Sequence, residues 1–335
     1  MELKNKRILI TGATGLIGSN LAERLLQDGN VLYVTGRNKK KLDLTFEEYL
    51  NSGQLYTIEH DASEPIPAVI KDIDFIFHAA GPMERDVVMN KPVSVIMPNI
   101  LGTIHCLEFL KNQAEVTGKK GRMIVFSSVT VYANPTNEDY TAIESDTTHA
   151  IFLEQLYACY AESKRMAEVI AQSYRRQYGI DIVIARFSTV YGYCKNIPNT
   201  AFFEFIKKAI SGEDIVLNGS GMPRRDNIYV DDAVEGLIVM AERGLSGEAY
   251  NISSNGDLGN FASVDEIALI ITQEVSKLTG GREVKIITPS MNSERNPGLK
   301  LSNYKLKELG FEIRYSHFSG VRETLIKLTK HYDYC

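Results

Sequence analysis

The chain has 335 residues, 44% hydrophobic and 24% charged, which is enough apolar material for a substantial core and gives no compositional sign of disorder. Its 37 basic and 42 acidic residues leave a formal charge of −5, which excludes the strongly basic footprint of a nucleic-acid binder. Cys106, Cys159, Cys194 and Cys335 lack the paired spacing of a zinc site or a redox pair, so reduced structural thiols and no metal centre are expected.

Residues 1–7 alternate in charge and lead straight into the first apolar run, so no secretory leader is expected. No uncharged apolar stretch is read as a membrane span, so the expectation is a cytoplasmic protein with neither a membrane nor a nucleic-acid partner. No repeat, low-complexity segment or flexible linker is visible.

The first run, Arg7 to Thr11, has the β-branched content of a buried strand, and Gly12, Gly15 and Gly18 follow at three-residue spacing before Ser19 to Gln27 turns helical. A helix N-terminus carries unpaired N–H groups and a partial positive charge. A turn of glycines lets a diphosphate approach those groups, so Gly12, Thr14, Gly15, Leu16, Ile17 and Gly18 are candidate dinucleotide-binding residues.

Val31 to Thr35 reads as the second strand. At its end an acidic residue would select a free ribose 2′-hydroxyl, but Gly36 stands there, with Arg37 beside it and Lys39, Lys40 and Lys41 beyond. The forked donors of Arg37 suit a 2′-phosphate, which favours NADP over NAD; the alternative is a solvated turn. Leu55 to Glu59 is a third strand, after which Asp61, with Ala62, could accept from an adenine amino group or cap a turn. Phe75 to His78 is a fourth, ending in small Ala79, Ala80 and Gly81 that would let a cofactor lie close; His78 is expected to be packed rather than a ligand.

Asn99 to Lys111 has helical spacing, and strand Met123 to Phe126 ends in the hydroxyls Ser127 and Ser128 at the edge where ligands of parallel sheets bind. In the long helix Ala158 to Tyr178, Tyr160 and Lys164 lie four residues apart on one face. An ammonium there would pull the phenol's pKa down and make Tyr160 a proton acceptor or donor, with Ser128 holding the substrate oxygen. Strand Ile180 to Phe187, a turn at Val190 to Gly192 and a helix near Phe202 to Ile210 follow. Arg224 and Arg225 suit a second diphosphate, while Asp231 and Asp232 are expected to cap the helix Ala233 to Glu242. A strand at Tyr250 to Ile252 and a polar loop containing Arg295 close the reading.

Together, Thr11 to Gly18, His78 to Ala80, Ser127 to Tyr132, Tyr160 to Lys164, Arg186 to Gly192, Arg225 to Asp232 and Tyr250 to Ile252 resemble the extended short-chain dehydrogenase/reductase family of nucleotide-sugar epimerases, dehydratases and ketoreductases. The resemblance implies an α/β fold with a Rossmann doubly wound parallel sheet and a smaller C-terminal substrate domain. Its division would place residues 1–190 and 226–253 in the dinucleotide domain, and 191–225 and 254–335 in the substrate domain. It implies Ser128, Tyr160 and Lys164 as the catalytic triad, Lys164 also on the nicotinamide ribose, and Arg225 and Arg295 on the substrate diphosphate. It also implies a homodimer through the helices near 100–112 and 158–178. Two departures stand out. Val129 and Thr130 replace the acidic pair of dehydratases, which argues against water elimination, and Thr189 replaces a family Asn at a substrate position. The expectation is an NAD(P)-dependent nucleotide-sugar epimerase, with an NADPH-dependent 4-ketoreductase and a non-catalytic NAD(P) sensor as alternatives.

Overall fold

Short apolar runs separated by turns and helices give the chain its alternation, and the computed structural model describes residues 2–132, 140–146, 153–217, 224–280, 283–288 and 298–331. In order, β1 (Arg7–Thr11) leads to α1 (Leu16–Leu26), β2 (Val31–Gly36) to α2 (Lys39–Thr45), and β3 (Leu55–Glu59) to β4 (Phe75–His78). Next come α3 (Arg85–Asn90), α4 (Val93–Thr117), β5 (Arg122–Ser128), β6 (Tyr140–Ala142), α5 (Ala158–Tyr178), β7 (Asp181–Phe187) and β8 (Thr189–Tyr191). They are followed by α6 (Ala201–Ser211), β9 (Ile215–Val216), β10 (Arg224–Tyr229), α7 (Val230–Arg243) and β11 (Ala249–Ile252). The remainder is β12 (Phe261–Ser263), α8 (Val264–Leu278), β13 (Ile286–Ile287), β14 (Leu299–Leu301), α9 (Tyr304–Lys307) and α10 (His317–His331).

Seven strands form one sheet in the order β11-β7-β5-β4-β1-β2-β3, with every neighbour parallel. Strands buried on both faces read as continuous apolar runs, as in Ile8, Leu9 and Ile10, all fully buried. The strand order reverses between β1 and β4, which opens a crevice at their carboxyl ends. A second sheet runs β12-β10-β14-β6, with β8 pairing to β10 so that Thr189 lies opposite Asn227. Of the segment 226–253, β11 joins the large sheet while β10 belongs to the second. The outer strand of the large sheet, β11, is overlaid by other parts of the chain: Asn251 N donates to Glu144 Oε1 at 2.8 Å and Lys305 Nζ to Ala249 O at 2.7 Å.

Several local expectations are corrected. The lysines after Gly36 do not form a solvated turn but open α2, because Asn38 accepts from Lys41 N at 2.8 Å and so caps it. Helix α1 begins at Leu16 rather than Ser19, which brings the N–H groups of its first turn up to the glycines. Helix α4 is far longer than Asn99 to Lys111 and, by length and composition, is the one helix among the described residues that could cross a membrane. Here it packs along α5 and buries Val95, Leu107 and Leu110 as a core helix. Asp231 and Asp232 do not cap α7. Asp232 instead accepts from Arg314 N and Tyr315 N, and Asp231 pairs with Lys327 at 3.2 Å, so both fasten the C-terminal segment.

Candidate active site

The crevice at the β1/β4 reversal is built from its glycines upward. Gly12 sits at φ +65°, and a Cβ there would lie 2.7 Å from the Ala80 backbone, so the turn after β1 can cross the end of β4 only without a side chain. A Cβ on Gly18 would lie 2.6 Å from Gly12 O, so its hydrogen lets α1 pack down on the turn. Gly15 is exposed, and its missing Cβ would meet only Gly12 O at 3.4 Å, which leaves the approach to the N–H groups of Leu16 and Ile17 open. Thr14, Leu16 and Ile17 flank this opening, the latter two partly buried against the core.

The end of β4 is fixed by a buried relay. His78 Nε2 lies 3.0 Å from Pro98 O, which can only accept, so that nitrogen carries the proton and Nδ1 accepts from Thr11 at 2.8 Å. Thr11 Oγ1 in turn accepts from Ala80 N at 3.3 Å. Burial, with the nearby Lys164 charge, pushes the His78 pKa down to about 3, so the ring is a neutral positioning group as expected. Ala79, Ala80 and Gly81 are thereby held facing the crevice beside the glycine turn.

Ser128 ends β5, and Tyr160 and Lys164 lie one turn apart near the start of α5; all three are buried. The structure brings them together. The Ser128 hydroxyl stands beside the Tyr160 phenol as the one neighbour that lowers its pKa, and Ser128 Oγ accepts from Thr130 N at 3.2 Å. Lys164 Nζ donates to Phe126 O at 2.8 Å and stands 5.7 Å from the centre of the Tyr160 ring. The electrostatics correct one expectation. Burial pushes the Tyr160 phenol up to about 12, opposed only by the Ser128 hydroxyl, and pushes Lys164 down to about 8. Desolvation is the dominant cause for the phenol and the sole cause for the ammonium, so at neutral pH the phenol keeps its proton.

Asn99 of α4, missed in the sequence, completes this centre. Its Nδ2 donates to Val95 O and Ser163 Oγ, while its buried Oδ1 has no partner among the described residues. A Cβ on Gly81 would fall 2.6 Å from that oxygen and 3.2 Å from Lys164 Nζ, so the backbone of Gly81, an unused acceptor and an ammonium converge at one point. The sequence signal was an amide in the mostly apolar first half of the helix. An open glycine turn, a small-residue strand end and this polar point suit a dinucleotide laid across the crevice.

Arg37 is exposed at the end of β2, and Leu42 packs against Gly36. Asp61 is exposed and Asp61 Oδ1 accepts from Ser63 N at 2.9 Å, which makes it a turn former, while Ala62 is buried beside it. Thr189 is partly buried in β8, and Arg225 is exposed on the neighbouring β10. Arg295 lies outside the described residues.

Comparisons with known proteins agree on the kinship. The model of the NAD dependent epimerase/dehydratase family matches residues 8–253. The UDP-glucuronic acid decarboxylase 6 of Arabidopsis thaliana is 30% identical over 92% of this chain and 84% of its own length. The UDP-N-acetyl-alpha-D-glucosaminuronate decarboxylase of Bacillus cytotoxicus is 29% identical over 96% of this chain and 97% of its own. Among solved structures, a UDP-N-acetylglucosamine 4-epimerase from Methanobrevibacter ruminantium superposes with TM-score 0.78 at 23% identity, covering 98% of this chain and 100% of that one. A dTDP-glucose 4,6-dehydratase from Bacillus anthracis in complex with NAD gives TM-score 0.78 at 21% identity, covering 98% of each chain. The chain belongs to the NAD dependent epimerase/dehydratase family, within the extended short-chain dehydrogenase/reductases.

Proposed function

We propose that the protein is a nucleotide-sugar epimerase that inverts a ring carbon by way of a transient ketone. The observation that carries this reading is the buried Tyr160 phenol, beside the Ser128 hydroxyl that lowers its pKa and one helical turn from Lys164. Gly12, Thr14, Gly15, Leu16, Ile17 and Gly18 would hold the diphosphate of the cofactor. Asp61 and Ala62 would lie at its adenine, and Ala79, Ala80 and Gly81 along its middle. Lys164 would hold its nicotinamide ribose. When bound, the nicotinamide supplies the oxidising and reducing power for the sugar carbon. From its phenolate form Tyr160 takes the proton of the sugar hydroxyl and then returns it, Ser128 holds that oxygen in line, and the Lys164 charge favours that phenolate form. Thr189, Arg225 and Arg295 would bind the sugar nucleotide, Arg225 and Arg295 at its diphosphate. The exposed Arg37 and the missing acid at Gly36 favour NADP over NAD, and NADPH turnover would make the same centre a 4-ketoreductase.

A second reading is favoured by the relatives, several of which are named UDP-glucuronic acid decarboxylases. A ketone next but one to a carboxylate weakens the bond to that carboxylate, so the same oxidation of a uronic acid sugar would release carbon dioxide. Incubating the purified protein with UDP-sugars and UDP-uronic acids, with NAD, NADP or NADPH in separate arms, distinguishes the readings by mass and NMR. An isomer of unchanged mass is the expected product. Carbon dioxide release would replace the epimerase reading with decarboxylation, and stoichiometric NADPH loss with reduction. The exposed Val93, Met97, Met166 and Val169 on the outer faces of α4 and α5 support a homodimer, which light scattering would detect.

A further inference from the structure

The chain leaving β8 crosses the outside of the glycine turn before it reaches α6, and it is tied down on both sides as it passes. Asn20 on α1 donates Nδ2 to Tyr193 O at 2.9 Å. Asn196 Nδ2 reaches Thr14 O, inside the turn itself, at 3.3 Å and Thr45 Oγ1, at the end of α2, at 2.7 Å. Lys195 Nζ lies 3.1 Å from Thr45 O, 3.3 Å from Glu23 on α1 and 3.4 Å from Glu48 beyond α2. Tyr193 and Cys194 are buried beneath, so the segment is packed as well as bonded.

We propose that residues 193–196 are a latch that holds the diphosphate-binding turn in register between α1 and α2 and sets how long a bound dinucleotide stays. Neither Lys195 nor Asn196 belongs to the turn, yet the carbonyl of Thr14 and the hydroxyl of Thr45 converge on the single amide of Asn196. Displacing the turn from α2 requires breaking both bonds and pulling Lys195 from two carboxylates at once. The latch is also joined through the single residue Gly192 to β8, whose partner strand β10 carries Arg225. A long residence suits an enzyme that regenerates its cofactor at every turnover, whereas a reductase must release it each time. The inference rests on the proposed dinucleotide site but not on the identity of the sugar.

The experiment follows NADH and NADPH fluorescence as each is chased from the full-length protein by excess oxidised cofactor. Asn196→Leu keeps the bulk and removes the donor, and Lys195→Met keeps the stem and removes the charge. Each is expected to speed release several-fold and the pair about tenfold or more, with most of the change in the off-rate. Lys195→Arg, which keeps the charge, is expected to restore slow release, a recovery that simple loss of packing would not give. Unchanged release from a folded double variant, or from Lys195→Met alone should the double variant not fold, overturns the latch while leaving the cofactor site intact. Wild-type protein that binds neither dinucleotide overturns the proposed function and the latch together.

Discussion

Tyr160 and Lys164 are moved in opposite directions by a common cause, the removal of water from both. The phenol at about 12 keeps its proton and the ammonium at about 8 is close to losing one. A lysine with a lowered pKa is charged below that value and neutral above it, so the charge that favours the phenolate disappears as pH rises through about 8. We therefore expect turnover, measured between about pH 6 and about pH 10, to fall on the alkaline side near pH 8, and Lys164→Met to give a low profile without that limb. Tyr160→Phe should reduce kcat by about 10²- to 10⁴-fold while NADH fluorescence still reports binding. A wild-type profile flat to pH 10 would remove Lys164 from the reaction.

At the scale of elements, β7, the catalytic helix α5 and the catalytic strand β5 meet at one largely buried ion pair. Arg186 at the end of β7 donates Nε and Nη2 to the two Glu168 oxygens at 2.9 and 2.7 Å, and Nη1 to Tyr132 at 2.9 Å and Glu144 O at 3.0 Å. Glu168 lies one turn beyond Lys164 and also accepts from Ser127, the neighbour of Ser128. Tyr132 passes the connection to Asn251 of β11 at 2.7 Å. Glu168→Ala would leave the guanidinium buried and uncompensated, and a loss of about 3–5 kcal/mol is expected in denaturant unfolding. Tyr132→Phe should lose only about 1–3 kcal/mol. These contacts explain what was legible in the sequence. The glycine turn, the strands and the four-residue spacing of Tyr160 and Lys164 are local patterns, and each could be read directly. The partners of Arg186, the seat of Lys164 on Phe126 O and the part played by Asn99 join residues far apart in the chain, and no periodicity announces them. The orientation of Asp232 toward Arg314 and Tyr315 was lost in the same way.

For the molecule as a whole, four buried titratable groups oppose one another in acid. His78 at about 3 and His317 at about 4 lie below the ordinary 6.5, so the unfolded chain binds their protons first and stability falls as pH drops through that range. Asp226 and Asp232, both pushed by burial to about 6 from 3.8, act in reverse: the folded chain binds their protons first, and stability rises as pH drops from 6 toward 4. From these four groups, melting temperature should vary little between about pH 6 and about pH 4, and Asp232→Asn should unmask the histidines and steepen the acid loss. An identical slope in wild type and variant would show that Asp232 does not titrate there.

The rim of the large sheet carries one more consequence. With a lysine seated on the Ala249 carbonyl and a glutamate on the Asn251 amide, two of the groups through which β11 could recruit a strand from another molecule are already engaged by charged side chains. Crowding this protein should therefore not drive ribbon-like assembly from that side, and Lys305→Ala with Glu144→Ala would lay the border open to it.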